Sequence, residues 1–174
     1  VAEIEFKSFG KIPRYENETY TITEKIDGTN GCIIIPEDGE IYAQSKNRII
    51  TPEDDNMGFA KWVQDHKEEL QLLGPGRHFG EWWGPGIQRR YFENFKVFSL
   101  FAWWLKPEEI PSCCRKVPVI AHTIEQATER LQTEGSIASP GFLNPEGFIV
   151  TSNLHRRILY KVILNETDKG DSRG

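Results

Sequence analysis

Apolar and polar positions alternate from Tyr20 to Ile26, and the β-branched and aromatic content of that run predicts a strand. Asp27-Gly28 then reads as a turn, because glycine tolerates positive φ. A second apolar run, Cys32 to Ile35, is expected to be the returning strand. Glu37-Asp38-Gly39-Glu40 supplies a hairpin turn into another strand that begins at Ile41-Tyr42-Ala43-Gln44-Ser45. The period changes after the capping residues Asp54-Asp55-Asn56. Phe59, Trp62, Val63, Leu70 and Leu73 recur at helical spacing, and Gly74-Pro75-Gly76 ends that helix. Arg77 to Gly84 reads as a tryptophan-rich strand end, and Lys96 to Phe101 as a buried strand. A second helix is predicted after Thr123-Ile124-Glu125-Gln126, with Ile124, Ala127 and Leu131 on its apolar face and Gly135 at its close. In the lead-in, residues 1–19, Phe6 and Phe9 are expected core contacts; Phe9-Gly10-Lys11-Ile12-Pro13 has the alternative task of covering a ligand.

Short elements of both types, with strands drawn from separated segments, predict an α+β domain built on antiparallel sheets. The 174 residues suffice for one domain with a real core. A net charge of -5 does not advertise a duplex-binding surface, although a local basic patch is compatible with it. The three cysteines, two of them adjacent at Cys113-Cys114, match no metal-ligand spacing and no disulfide framework. They fit reduced thiols in a cytoplasmic protein. The charged start, Val1 to Glu5, has no signal-peptide core, and the longest nearly apolar run, Val97 to Leu105, is far too short for a bilayer, so no membrane partner is expected.

The chemistry concentrates at Thr23-Glu24-Lys25-Ile26-Asp27-Gly28-Thr29-Asn30, where a lysine ends a strand beside a turn that admits another molecule. Alone, Lys-x-Asp-Gly reads equally as a charged hairpin. Further along the chain, Gly80-Glu81-Trp82-Trp83-Gly84, Lys96 to Phe101, Glu146-Gly147-Phe148-Ile149-Val150 and Leu159-Tyr160-Lys161-Val162 follow in order. Together these resemble motifs I, III, IIIa, IV and V of the covalent nucleotidyltransferases, and Glu-Lys-Ile-x-Gly-Thr-Asn is most similar to RNA ligases of the T4 RNA ligase 2 type. The resemblance covers roughly Glu24 to Val162.

The resemblance implies two antiparallel sheets flanking a nucleotide-binding cleft. It implies a nucleotidyltransferase domain over 1–164, a polar tail over 165–174 and no C-terminal OB-type domain. It implies an ATP-dependent RNA ligase in which Lys25 carries AMP, passes it to a 5′-phosphate and lets a 3′-hydroxyl displace it. An ATP-dependent DNA ligase and a minimal binding module that self-adenylates without efficient sealing are the alternatives. Lys25, Asp27 and Lys161 are the implied catalytic residues. Glu24, Lys25, Asn30, Lys46, Arg48, Glu81, Phe101 and Lys161 are the implied nucleotide contacts, and Glu146 is the implied ligand for Mg2+ or Mn2+. Phe98 is a second stacking choice behind Phe101. Partners would be RNA ends, nicked duplex or DNA, and a separate protein standing in for a missing domain; the setting would be cytoplasm, including that of a host to a phage or virus.

Physical reasoning supports parts of this assignment. A free lysine is mostly protonated at neutral pH and must lose its proton before it attacks, which a nearby cation favours. Asp27 would act in the opposite sense if ionised beside Lys25, so it needs another task, such as orienting the lysine or holding metal. The chain departs from the pattern at Leu159, where a lysine is usual, and at Ala102, where an aspartate is usual. Strand alternation would put Arg157 on the face of Lys161 as a substitute cation. In Ser45-Lys46-Asn47-Arg48 either basic residue could contact the nucleotide. Gln88-Arg89-Arg90-Tyr91 reads equally as a phosphate-and-stacking cluster or as an exposed loop.

Overall fold

The computed structural model describes residues 2–166. In chain order the elements are β1 (Tyr20–Lys25), β2 (Thr29–Ile35), β3 (Tyr42–Gln44), β4 (Ile49–Ile50), α1 (Phe59–Asp65), α2 (Lys67–Leu70), β5 (Gly76–Trp83), β6 (Val97–Leu100), β7 (Cys114–Lys116), β8 (Val119–Ala121), α3 (Ile124–Glu134), β9 (Gly147–Ser152) and β10 (Arg157–Ile163). They form an α+β fold with a four-stranded sheet ordered β10-β9-β1-β8 and a six-stranded sheet ordered β4-β3-β2-β5-β6-β7. The larger sheet is mixed, since β6 and β7 run parallel.

The expected hairpin of the first two strands does not form. β1 pairs with β8 and β9, whereas β2 pairs with β3 and β5, so residues 26–28 carry the chain from one sheet to the other. The reason is local. Ile26 is drawn into an apolar cluster with Trp83, Tyr91, Val97 and Val117, and Gly28 lies so close to β5 that a Cβ there would stand 2.4 Å from the Trp82 carbonyl oxygen. The strand pattern was legible, but pairing depends on which distant strand supplies the better apolar face.

Each sheet buries its outer face under helical structure. Ile33, Ile35, Trp82, Phe98 and Leu100 pack against Phe59, Ala60 and Val63 of α1. Ile22, Phe148 and Val150 pack against Ala127 and Leu131 of α3. Thr123 caps α3 as predicted, its hydroxyl accepting from the Gln126 N–H at 3.2 Å, and Gly135 ends it. The helix predicted from Phe59 to Leu73 is instead broken at His66 into α1, α2 and a 3-10 turn over Gln71–Leu73. Asp55 serves as the expected cap from outside the first turn, its carboxylate accepting from the Ala60 and Lys61 N–H groups.

Phe6 and Phe9 are not core residues; they are 88% and 101% exposed. The lead-in over residues 2–19 forms no strand or helix, and its contact with the sheets comes at Glu18 and Thr19, which bond Ser152 and Asn153. From residue 167 onward, the predicted polar tail falls outside the described residues. No helix among the described residues is long and apolar enough to cross a membrane. Cys32, Cys113 and Cys114 are free thiols.

Candidate active site at the crossing between the sheets

Lys25 is the last residue of β1, on the face opposite Ile22, and its backbone lies opposite Gly147. Gly147 is required there, because a Cβ would fall 1.9 Å from the Val162 carbonyl oxygen. The next residue back along that strand is Glu146. Lys25 Nζ donates to Glu146 Oε2 at 2.9 Å, with the lysine side chain 24% exposed and the carboxylate 3% exposed. Main-chain donors from Leu164 and Asn165 hold the Glu146 carbonyl, so the carboxylate is presented by a fixed backbone.

Glu81 faces this pair from the other sheet. In β5 it stands opposite Asn30 of β2 and Ser99 of β6. It is buried, and its Oε1 has no hydrogen-bond partner among the described residues. Burial pushes its carboxyl up to about 8; the Lys25 ammonium pulls it down, and Asp27 and Glu146 push it further up. The three carboxylates and the lysine therefore form one electrostatic group. An unsatisfied buried oxygen ordinarily costs stability, and such an atom in a cleft is a place for a ligand donor.

The same face of the six-stranded sheet continues away from the lysine. Residues alternating with the buried core positions are Cys32 and Ile34 on β2, Tyr42 and Gln44 on β3, and Phe79 and Arg77 on β5. Phe79 is half-exposed on this floor, and the Phe101 N–H donates to its carbonyl oxygen at 3.0 Å. Phe101 is 40% exposed and, with Phe79 and Trp104, borders a depression of about 430 Å³. Phe98 lies on the opposite face, fully buried against Phe59 and Trp62, which makes it a core residue. Asn30 is exposed on the floor beside Glu81. The register of Cys32 with Gln44 carries the following turn toward the Asn30 end, so Lys46 emerges, exposed, near the mouth of the site. Arg48 is engaged elsewhere, its Nη1 donating to the Asp54 carboxylate at 2.8 Å.

Several expected residues do different work. The Glu24 carboxylate is buried on the other side of β1 and accepts from Ser136 Oγ and from the Ile137 and Ala138 N–H groups. Burial raises its carboxyl above the usual range, against these three donors. It thus fixes the chain after α3. Arg89 and Tyr91 are neither an exposed loop nor a stacking surface; both are buried. Arg89 Nε donates to Asp27 Oδ2 at 3.0 Å, and the Asp27 N–H donates to the Tyr91 hydroxyl oxygen at 2.8 Å. Asp27 therefore has a cation of its own. The basic-aromatic spelling of residues 88–91 concealed this, since sequence alone does not tell a buried guanidinium from a solvated one.

Lys161 lies on β10 opposite Ile149, hence on the same face as Thr23 and Lys25. Strand alternation fails immediately before it. Ile158 pairs with Thr151 and Tyr160 with Val150, so Leu159 is an extra, bulged residue, and it packs with the cluster under α3. Arg157 pairs with Ser152 and shares that opposite face. Ile158, not Arg157, is the neighbour of Lys161 on the cleft side.

Among the described residues no three His, Cys, Asp or Glu side chains form a ready metal cage. The donors present still suit a hard divalent cation. Glu146 offers a carboxylate, Glu81 offers an unpartnered oxygen, and Mg2+ commonly takes one or two carboxylates with phosphate oxygens and water completing the shell.

The sequence profile of a family described as RNA ligase matches residues 18–163. Among solved structures, one of a Naegleria gruberi RNA ligase mutant with AMP and Mn aligns with a TM-score of 0.58 at 21% identity, over 84% of this chain and 49% of that one. A second mutant of that enzyme, with ATP and Mn, aligns with a TM-score of 0.58 at 21% identity, over 84% and 50%. The same enzyme with PPi gives 0.57 at 22% identity, over 84% and 49%. The chain thus spans about half the length of these structures, and at this identity the likeness speaks for the fold. No curated protein matches the chain. With a family profile covering the site from β1 to β10, the chain belongs to the RNA ligase family.

Proposed function

We propose that residues 1–164 act as the adenylyl-transferring domain of an ATP-dependent RNA ligase. The observation that carries this reading is the Lys25 amine, held 2.9 Å from Glu146 beside an unpartnered oxygen of Glu81. In the first step Lys25 Nζ gives up a proton and attacks the α-phosphorus of ATP. A P–N bond forms, and the P–O bond to pyrophosphate breaks. An oxygen of an RNA 5′-phosphate then attacks the same phosphorus, the P–N bond breaks, and the amine recovers a proton. Finally a 3′-hydroxyl loses its proton and attacks the 5′-phosphate, and AMP leaves.

The side chains have distinct tasks in this scheme. Glu81 accepts from a ribose hydroxyl, which satisfies its orphaned oxygen. Phe101 stacks on the base at the half-exposed end of the floor. Asn30, Lys46 and Lys161 meet phosphate oxygens, and Lys46 is favoured over Arg48 because the latter is already paired. Glu146 accepts a hydrogen bond from Lys25 Nζ at 2.9 Å. Glu146 is also the residue that would hold Mg2+ or Mn2+. A divalent ion bound there would supply charge neutralisation to the transferring phosphoryl group.

One observation favours a narrower second reading, in which self-adenylation outruns sealing. The bulge removes residue 159 from the cleft and puts Ile158 in the place where a second cation would stand. Intact mass after incubation with ATP and Mg2+ tests the main reading. One added AMP in the parent, absent in Lys25→Ala, supports it. A folded protein that gains no nucleotide with either Mg2+ or Mn2+ overturns it. Incubating the adenylated protein with nicked RNA and nicked DNA then separates the substrates and the narrower reading.

A further inference from the structure

Three segments bring the candidate residues together, and one buried side chain ties all three. Arg89 sits in the irregular stretch between β5 and β6, with its side chain 2% exposed. Its Nε donates to Asp27 Oδ2 at 3.0 Å, two residues after Lys25. Its Nη1 donates to the Asn144 carbonyl oxygen at 3.0 Å, two residues before Glu146. Its Nη2 donates to the Asn165 carbonyl oxygen, four residues after Lys161. Asn165 in turn donates from its main-chain N–H to the Glu146 carbonyl and from its side chain to the Pro145 carbonyl. Tyr91 completes the hub by accepting from the Asp27 N–H.

We propose that Arg89 is a positioning residue for nucleotidyl transfer: its guanidinium sets Lys25, Glu146 and Lys161 in register while acting only through Asp27 and two backbone carbonyls. The inference rests on the adenylyl-transfer reading above. The physical case is the planar fork. A guanidinium presents five N–H donors in fixed directions, so it can serve three acceptors on three segments at once. A lysine ammonium is a point charge on a flexible stem and cannot hold the same geometry. The pairing also answers the difficulty of an aspartate so near the nucleophile. Asp27 pairs with the Arg89 guanidinium, while Lys25 pairs with Glu146.

Two variants test this. Arg89→Lys keeps the charge and loses the fork. Asp27→Asn with Arg89→Gln removes both buried charges together, so that neither is stranded and the fold is retained if the single change unfolds it. Melting curves establish which is folded at the assay temperature. In folded protein we expect the single-turnover rate of lysyl-AMP formation at saturating ATP to fall about 10- to 100-fold, with the KM for ATP within about threefold of the parent. Parental rates, or a deficit that saturating ATP restores, overturn the proposal. A second readout needs no catalysis: acylation of Lys25 by an amine-directed reagent, read by peptide mass, with surface Lys61 as the internal standard. Loosening of the hub should raise Lys25 labelling relative to Lys61, and an unchanged ratio overturns the proposal. If the parent forms no lysyl-AMP, the adenylyl-transfer reading fails, and the labelling ratio alone decides the positioning role.

Discussion

The two walls of the cleft are prepared differently. At the end of the four-stranded sheet, Lys25 pairs with Glu146 and Asp27 pairs with Arg89 before any ligand arrives. On the six-stranded sheet, Glu81 is buried with an oxygen unserved, and Phe79 and Phe101 lie half-exposed. One wall has its geometry fixed by internal bonds; the other is left incomplete. The contrast fits a site in which the reacting group must be held in place and the nucleotide must complete the other side. Binding energy there comes from satisfying groups that the fold leaves unsatisfied, and positioning comes from groups the fold has already satisfied.

Breaking the prepared wall at its nucleophile should have the largest effect. Lys25→Ala is expected to abolish covalent AMP transfer altogether, as intact mass would show, with a thermal melt to establish that the variant is folded at the assay temperature. An equal AMP adduct in this variant would place the nucleophile elsewhere.

The incomplete wall should respond next, and in two opposite ways. Glu81→Ala should slow lysyl-AMP formation by about 10- to 100-fold, the worth of a hydrogen bond to an ionisable group. Glu81→Gln should change stability against pH. The parent carboxyl titrates near 8 when folded and near 4.5 as a free group, so the folded state holds more protons between those values. Stability from this group is therefore full below pH 4.5 and falls by about 1.4 kcal/mol per pH unit as pH rises toward 8. The glutamine variant should lack that decline, so its advantage over the parent should grow with pH in urea melts. A constant difference across this range would mean that Glu81 is not held protonated.

Gly147→Ala probes how tightly the prepared wall is built. The added methyl would meet the Val162 carbonyl oxygen at 1.9 Å, so β9 and β10 must separate. A loss of about 3 kcal/mol in denaturant unfolding is expected, together with slower AMP transfer because Glu146 moves with its neighbour.

The smallest effect should be the most discriminating. Leu159→Lys restores the spelling usual for that motif, yet the bulge directs residue 159 toward α3. It should give no gain in sealing and a modest loss of stability. Ile158→Lys puts an amine on the cleft face beside Lys161 and is the change expected to raise the sealing rate. The reverse ranking would mean that β10 alternates regularly.

The linear motifs left the contrast between the walls half visible. Lys25, Glu81, Glu146 and Lys161 each sit in a short local pattern, so the sequence could single them out as candidates. Arg89 was misread because its three acceptors come from residues 27, 144 and 165, and nothing local to residues 88–91 signals burial. Glu24 was misread for a similar reason, since its donors at 136–138 lie more than a hundred residues away. Phe6 and Phe9 were assigned to a core on hydrophobicity alone, which predicts a preference for burial and not a partner.

What the sequence determined by itself is the α+β class, the order of the motifs, the capped helix from Ile124 and the identity of the candidate nucleophile. These depend on periodicity, turn chemistry and local spelling. Only the tertiary structure decided that β1 and β2 part company into two sheets, that Asp27 answers to Arg89, and that a single extra residue turns Leu159 out of the cleft. Pairing partners, ion-pair assignment and bulge register are settled by competition among distant strands for a common apolar face, and that competition has no local signature.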